Sequence, residues 1–303
     1  MRRLLLALAL GGATPAWAQT EQVIAVPGFA DFLAVDGDAV WATNKGRVER
    51  WSRDGLTATV PLAHPCGAMA FDRDTLWVAD CDTRTLNRID ARAAKLVTAI
   101  ATGVAAPDGE LNVVAGAGSV WIASDATGAV ARVDPATDKV VATIAVTPGT
   151  SYLAFGLDAL WAVSLKGRTL QRIDPATNKV VATIPLGAKP GFLTAGEGAV
   201  WVQEQGDGTV ARIDPATNAV TARVKVGATL AYGDIDTGGG KVWLRTTEEQ
   251  TFVVIDAQTL AIEARVGKPV GSGALRYTPA GVWTSAHDHH TLSWWPEPAT
   301  IGK

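Results

Sequence analysis

Apolar and polar residues alternate in short runs along most of the chain, as in Lys139-Val-Val-Ala-Thr-Ile144 and Thr209-Val-Ala-Arg-Ile213. β-Branched residues dominate these runs and no helical period competes with the alternation, so they predict half-buried strands. Turn signals separate them. In one stretch, strands are expected over 191–195, 199–203, 209–213 and 219–226, divided by Gly196-Glu-Gly198, Gly206-Asp-Gly208 and Asp214-Pro-Ala-Thr-Asn218. Asp before Pro suits a type I turn, because Pro presets φ and the carboxylate accepts nearby backbone N–H groups.

The four-strand unit repeats. Ala131-Arg-Val-Asp-Pro-Ala-Thr-Asp-Lys-Val-Val-Ala-Thr-Ile144 is nearly copied at Gln171 to Ile184 and at Ala211 to Val224, with weaker copies from Asn87 and Val254. A Trp preceded by an apolar residue marks each unit: Trp41, Trp77, Trp121, Trp161, Trp201, Trp243 and Trp283. The intervals of 36, 44, 40, 40, 42 and 40 residues match the length of a four-stranded propeller blade. The expected fold is therefore all-β, a seven-bladed β-propeller. The seventh unit lacks its fourth strand, ending near Trp295 before Pro296 and Pro298, while Gln22-Val-Ile-Ala-Val-Pro-Gly-Phe29 reads like a displaced fourth strand. The N-terminal strand is expected to complete the last blade and close the ring.

The step Trp41-Ala-Thr-Asn44 and the run Arg-Ile-Asp-Pro-Ala-Thr-Asn-Lys-Val-Val-Ala-Thr-Ile resemble the bacterial YVTN-type propeller repeat. They are also similar to the repeat of virginiamycin B lyase-like proteins, a resemblance that covers 22–295 and implies seven blades. Within the repeat, the tryptophans read as packing between blades. Arg50, Arg88, Arg132, Arg172 and Arg212 read as supports for the turn that follows each third strand.

Composition places the protein. Met1-Arg2-Arg3, the apolar run Leu4–Leu10 and Ala16-Trp17-Ala18 form a cleavable signal peptide over 1–18, cut after Ala18. One propeller domain over 19–303 follows, periplasmic or secreted and expected to be a monomer. The formal charge of -3, with 19% charged residues, offers no basic footprint for nucleic acid. No apolar run is long enough for membrane insertion. Cys66 and Cys81, the two cysteines, flank the first hairpin of the second blade and read as directly opposed. In an oxidising compartment that predicts a disulfide, against the alternative of a soft-metal site joined by His64.

Candidate chemistry lies where the inner strands open onto one mouth of the channel. Three residues past each Trp stand Asn44, Asp80, Ser124, Ser164, Glu204, Thr246 and Ala286; nine before it stand Phe32, Ala68, Asn112, Tyr152, Phe192, Asp234 and Ala274. Eleven before it are Ala30, Cys66, Glu110, Thr150, Pro190, Tyr232 and Ser272. Polar side chains concentrate on blades five to seven, with Glu248, Glu249 and the cluster His287-Asp-His-His290. Glu204, Asp234 and His287 are the candidate catalytic set. Asn44, Asp80, Glu110, Asn112, Tyr152, Tyr232 and His289 are candidate mouth residues. The lyase resemblance implies Mg held by late-blade His and Glu, and carboxylates here would suit Mg or Ca. The last blade, Trp283-Thr-Ser-Ala286, lacks a glutamate that the resemblance implies.

No nucleophile elbow, zincin or phosphate-loop motif is present. The leading expectation is an exported module that binds a small molecule or a periplasmic protein through its mouth. The alternatives are a divalent-metal-assisted lyase or lactone hydrolase, and a propeller subunit of a periplasmic redox complex.

Overall fold

Each turn signal ends a strand. A computed structural model describes residues 21–104, 110–124, 128–231, 233–246 and 248–301, in seven sheets of four antiparallel strands each. In the fifth blade the strands run Pro190–Gly196, Ala199–Glu204, Thr209–Asp214 and Ala219–Lys225. The first strand of every blade lines the central channel and the fourth lies outermost. The signal peptide expected over 1–18 lies outside the described residues.

Alternation along the second strands is suppressed because both of their faces are covered by neighbouring blades: Ala199–Glu204 is buried throughout. The seven repeat tryptophans are all fully buried, and an indole buried this way is worth about 3–5 kcal/mol against Ala. Trp121, Trp161, Trp201 and Trp243 each donate their indole N–H to the carbonyl of the glycine five residues earlier. Those glycines also admit the next blade: a Cβ on Gly116 would sit 2.0 Å from the Phe155 ring, and one on Gly238 2.1 Å from Tyr277.

The repeated arginine faces the tryptophan across the sheet, as in Trp121↔Arg132 and Trp161↔Arg172. Its guanidinium stacks over that indole, 4.8 Å from the ring centre for Arg132. The expectation that it supports its own blade's turn is corrected for Arg88, Arg132 and Arg172, which reach the turn of the next blade, whereas Arg50 and Arg212 bond within their own blades. Arg132 donates to the Pro175 carbonyl (2.6 Å) and Asn178 Oδ1 (2.9 Å), and Arg172 to the Pro215 carbonyl (2.7 Å) and Asn218 Oδ1 (3.2 Å). Asn178 and Asn218 have φ of +56° and +52°, a backbone Asn tolerates better than most residues. Asp134, Asp174 and Asp214 accept the backbone N–H two residues on, as the turn signal implies.

Closure follows the expected route. Gln22–Ala25 pairs antiparallel with the last strand, Gln22↔Trp294 through Ala25↔Thr291. On the channel side, Ser285 Oγ of the seventh blade donates to the Asp31 carbonyl of the first (2.5 Å).

Cys66 and Cys81 are disulfide-bonded, with Cα atoms 6.0 Å apart. The expected direct opposition is not how they meet. The hairpin pairs Ala70↔Trp77, but beyond Ala70 the register slips and Pro65 faces Asp80. The two cysteines flank that pair, and the Cys66 N–H bonds the Ala79 carbonyl (3.1 Å).

Deleting residues 19–27 should lower the melting temperature of the mature protein by more than about 10 °C, since it reopens both the sheet edge and the ring; thermal unfolding that is unchanged would refute closure by this strand. Denatured, unreduced protein should release no titratable thiol, and reduction should destabilise the fold by about 3 kcal/mol, the loop-entropy value for a closed loop of roughly 15 residues.

Candidate functional site

The position three past the tryptophan ties the blade to a neighbouring segment where it is Asn44, Asp80, Ser164 or Glu204. Asn44 Oδ1 accepts the Phe29 N–H (2.6 Å) and its Nδ2 donates to the Pro27 carbonyl (3.0 Å). Asp80 accepts the backbone N–H of His64 (3.1 Å) and of Thr83 (3.0 Å). Burial opposes its charge, but these bonds hold its carboxyl below the usual range. Ser164 donates to the Pro148 carbonyl (2.8 Å). Glu204 is the most committed of the series. It receives Gly187 N–H (2.6 Å), Thr209 Oγ1 (2.7 Å) and both arms of Arg223 (2.8 and 3.0 Å), and is fully buried. These contacts outweigh burial and keep it ionised. Glu204 is therefore not brought to the mouth with Asp234 and His287, and Asn44 and Asp80 act as clasps on the segments leading into the inner strands.

The position nine before the tryptophan does line the channel. Phe32, Tyr152, Phe192, Asp234 and Ala274 all border a mouth cavity of about 620 Å³. Phe192 lies 4.3 Å from the Tyr152 ring and 6.3 Å from Phe32 between centroids. These rings form the floor, and a lower cavity of about 450 Å³ continues beneath them past Asn112, Asp236 and Arg276. Asn112 and Asp234 both accept from the inner strand of the next blade, at Leu153 N–H (3.1 Å) and Leu275 N–H (3.4 Å). Asp234 is also ion-paired with Arg276. Below it, burial raises the Asp236 carboxyl, with Arg276 acting against the rise.

The last blade reaches the cavity through a single 3-10 turn, His287–His289. His287 stacks on Phe29, with centroids 4.0 Å apart. Its Nδ1 lies 2.9 Å from Asp288 Oδ1. Burial nevertheless lowers its basicity, so the ring is neutral at neutral pH. Asp288 accepts Ser272 N–H (3.0 Å), which keeps it ionised. His289 is exposed beside this turn, and His290 Nδ1 meets the Gly28 carbonyl. Glu248 and Glu249 edge a separate groove with Arg265. Tyr232 lies outside the described residues.

Asp31 is the main cavity residue that sequence reasoning misses. It stands ten before Trp41, where the other blades carry Gly67, Leu111, Ser151, Gly191, Gly233 and Gly273; an acid among glycines was the available signal. Burial, then Glu110, Asp234 and Asp288, push its carboxyl up to about 7. Glu110 accepts the Tyr152 hydroxyl (3.1 Å). Loss of water raises its own carboxyl, the Tyr152 bond opposes this, and Asp234 adds repulsion. Burial and Glu110 together raise the Tyr152 phenol as well. Phe29, Asp31, Phe32 and Glu110 also border a second lobe of about 450 Å³ that runs past Lys45 and His64 to Cys66.

The donors do not assemble for Mg or Ca. Among the described residues no three His, Cys, Asp or Glu side chains form a metal-holding group, and Glu204 is already saturated. What the arrangement does offer is a cavity with aromatic walls, an acidic rim, one carboxyl that retains its proton up to about pH 7 and one neutral imidazole.

A closed seven-bladed propeller with a deep cavity at one mouth defines the class. Within it, the chain has the virginiamycin B lyase-like fold. It superposes on the virginiamycin B lyase of Staphylococcus aureus with a TM-score of 0.78 at 16% identity, covering 91% of this chain and 98% of that one. A catalytically inactive variant of that lyase with quinupristin gives 0.77 at 14% identity, with 91% and 98% covered. Hydrazine synthase from Kuenenia stuttgartiensis gives 0.74 at 14% identity, with 95% and 99% covered. No protein-family model and no curated protein sequence matches the chain.

Because Asp31 holds its proton more tightly folded than unfolded, its stabilisation is complete below about pH 4 and is lost as pH rises through about 7. Asp31→Asn should match the parent near pH 4 and exceed its melting temperature by several degrees at pH 8. Equal melting temperatures at pH 8 would show that Asp31 is not destabilised there.

Proposed function

We propose that the protein is an exported small-molecule-binding propeller whose ligand sits in the mouth cavity. One observation carries this reading: a cavity of about 620 Å³ walled by Phe29, Phe32, Tyr152 and Phe192 and rimmed by polar groups. That size and that mixture of apolar wall and few polar groups are what small-molecule sites have in common. The signal peptide and the disulfide support export. No helix among the described residues is long and apolar enough to cross a membrane.

A second reading, a lyase like virginiamycin B lyase, is favoured by neutral His287 and by Asp31, whose carboxyl is pushed up to about 7, around one cavity. A neutral imidazole and a carboxyl that is protonated in part near neutral pH suit proton abstraction and leaving-group protonation. In this reading His287 accepts the proton and Asp31 donates one. Asp234 keeps Arg276 in place beneath.

Thermal-shift screening of a small-molecule set separates the readings. Bound compounds should lose at least tenfold in affinity in His287→Ala and Phe192→Ala, and keep it in Arg132→Ala, which lies in the blade clamp. Hits indifferent to both cavity variants would refute the binding site. Incubation with quinupristin addresses the lyase: its intact form should disappear, at least 100-fold more slowly in His287→Ala, and its full survival would remove that reading.

A further inference from the structure

Four carboxylates of different blades face one cavity: Asp31 of the first, Glu110 of the third, Asp234 of the sixth and Asp288 of the seventh. The cations around them are already committed. Arg276 is paired with Asp234. Arg245 is buried and spends its donors on the carbonyls of Thr246, Thr251, Gly271 and Ser285. Lys45 lies over the Phe29 ring, 5.3 Å from its centre, in the second lobe. His287 is neutral. The cavity thus holds more negative charge than its surroundings balance.

Two independent observations give that charge a purpose. The Asp31 carboxylate, half-buried, has no hydrogen bond or ion pair among the described residues, although every other acid of the set is engaged by at least one donor. The walls are aromatic: Phe29, Phe32, Tyr152 and Phe192 present rings to the space, and Leu165 stands on its rim with 47% of its surface exposed. Aromatic faces carry negative quadrupole charge and attract cations that are shed of water. Acid and ring together therefore favour a large, weakly hydrated cation over a small, hard one, and the donors do not group for a metal.

We propose that the mouth cavity selects an organic cation, a protonated or quaternary amine carried on an aromatic or aliphatic body. The ammonium sits against Asp31, between Glu110 and Asp288, and the body lies on Phe192 and Tyr152 with Leu165 above it. This rests on the binding reading given under Proposed function and specifies its ligand class. Acid weakens the site, because Asp31 takes up a proton as pH falls below about 7. Glu110, Asp234 and Asp288 face that group from the other blades, with His287, Tyr152, Arg245, Arg276 and Lys45 as the remaining titratable or charged neighbours.

Calorimetry on the mature protein with benzyltrimethylammonium, benzyl alcohol and benzoate tests this. The cation should bind at least tenfold tighter than the alcohol, and benzoate should bind more weakly than either. Its affinity should fall at least fivefold between pH 8 and pH 5.5, and Asp31→Asn, which keeps the shape of the side chain, should abolish most of that dependence. Circular dichroism and melting temperature establish that the variant is folded. Equal or better binding of benzyl alcohol or benzoate, lost in Phe192→Ala, would overturn the cation preference while leaving the cavity as a binding site. Binding of none of the three up to millimolar concentration would overturn the cation preference, and the binding reading itself falls only if the wider screen also finds no cavity ligand.

Discussion

A blade of this molecule cannot bury its second-strand tryptophan by itself. In blades two to five the indole is covered on one side by the arginine across the sheet and on the other by the inner strand of the next blade. Neighbours must therefore approach closely enough that Gly116 and Gly238 leave no room for a side chain. Once that distance is set, the rest follows. Seven blades at equal spacing leave a central channel, the inner strands line it, and the segments that lead into them converge on one mouth. In blades two to four the arginine that stacks on the indole also holds the turn of the next blade, so there the same pair of residues fixes both packing and register.

The repeat loosens where the site is built. Arg88, Arg132 and Arg172 each bridge to the following blade, but Arg212 bonds Thr221 within its own blade. Blade six has Val254 where the arginine would stand, opposite Trp243. From there on blade six is joined to blade seven by rings and by buried charge: Trp243 stacks on Tyr277 (5.2 Å) and Asp234 holds Arg276, while within blade seven Trp294 takes the arginine's place against Trp283 (5.0 Å). Side chains that face the cavity thus also serve as joints between blades, and polar residues are kept there that a purely structural repeat would not need.

Residue pattern made the fold legible almost completely. Alternation marked the strands, Asp-Pro and Gly pairs marked the turns, and the spacing of seven tryptophans counted the blades, because each signal acts over a few residues. The site was legible only in part. Aligning blades on the tryptophan singled out Tyr152, Phe192 and Asp234, which border the mouth cavity. The same alignment put Glu204, Asn44 and Asp80 at the mouth. Asn44 does border the second lobe beside Lys45. Glu204 is taken up by Arg223, Thr209 and Gly187 N–H, and Asp80 by the backbone N–H groups of His64 and Thr83. Polarity in a sequence does not say whether a side chain faces a cavity or a neighbouring loop. Asp31 escaped notice because its significance comes from acids on three other blades, none near it in the chain. The disulfide was legible, but its offset was not, since a register slip beyond Ala70 has no sequence mark.

The strand that closes the ring has a consequence for assembly. Gln22–Ala25 finds its partner only in Thr291–Trp294, about 270 residues further along the chain, so an early segment is among the last to gain a place. Until then blades one to six can stack in order, each stabilised by the one before, while the seventh has an open edge. A polypeptide emerging in sequence order would therefore remain an unsealed arc until Thr291–Trp294 emerged. The seam would shut late and in one step, and a chain cut short anywhere would be left as an open edge for proteases and aggregation to find.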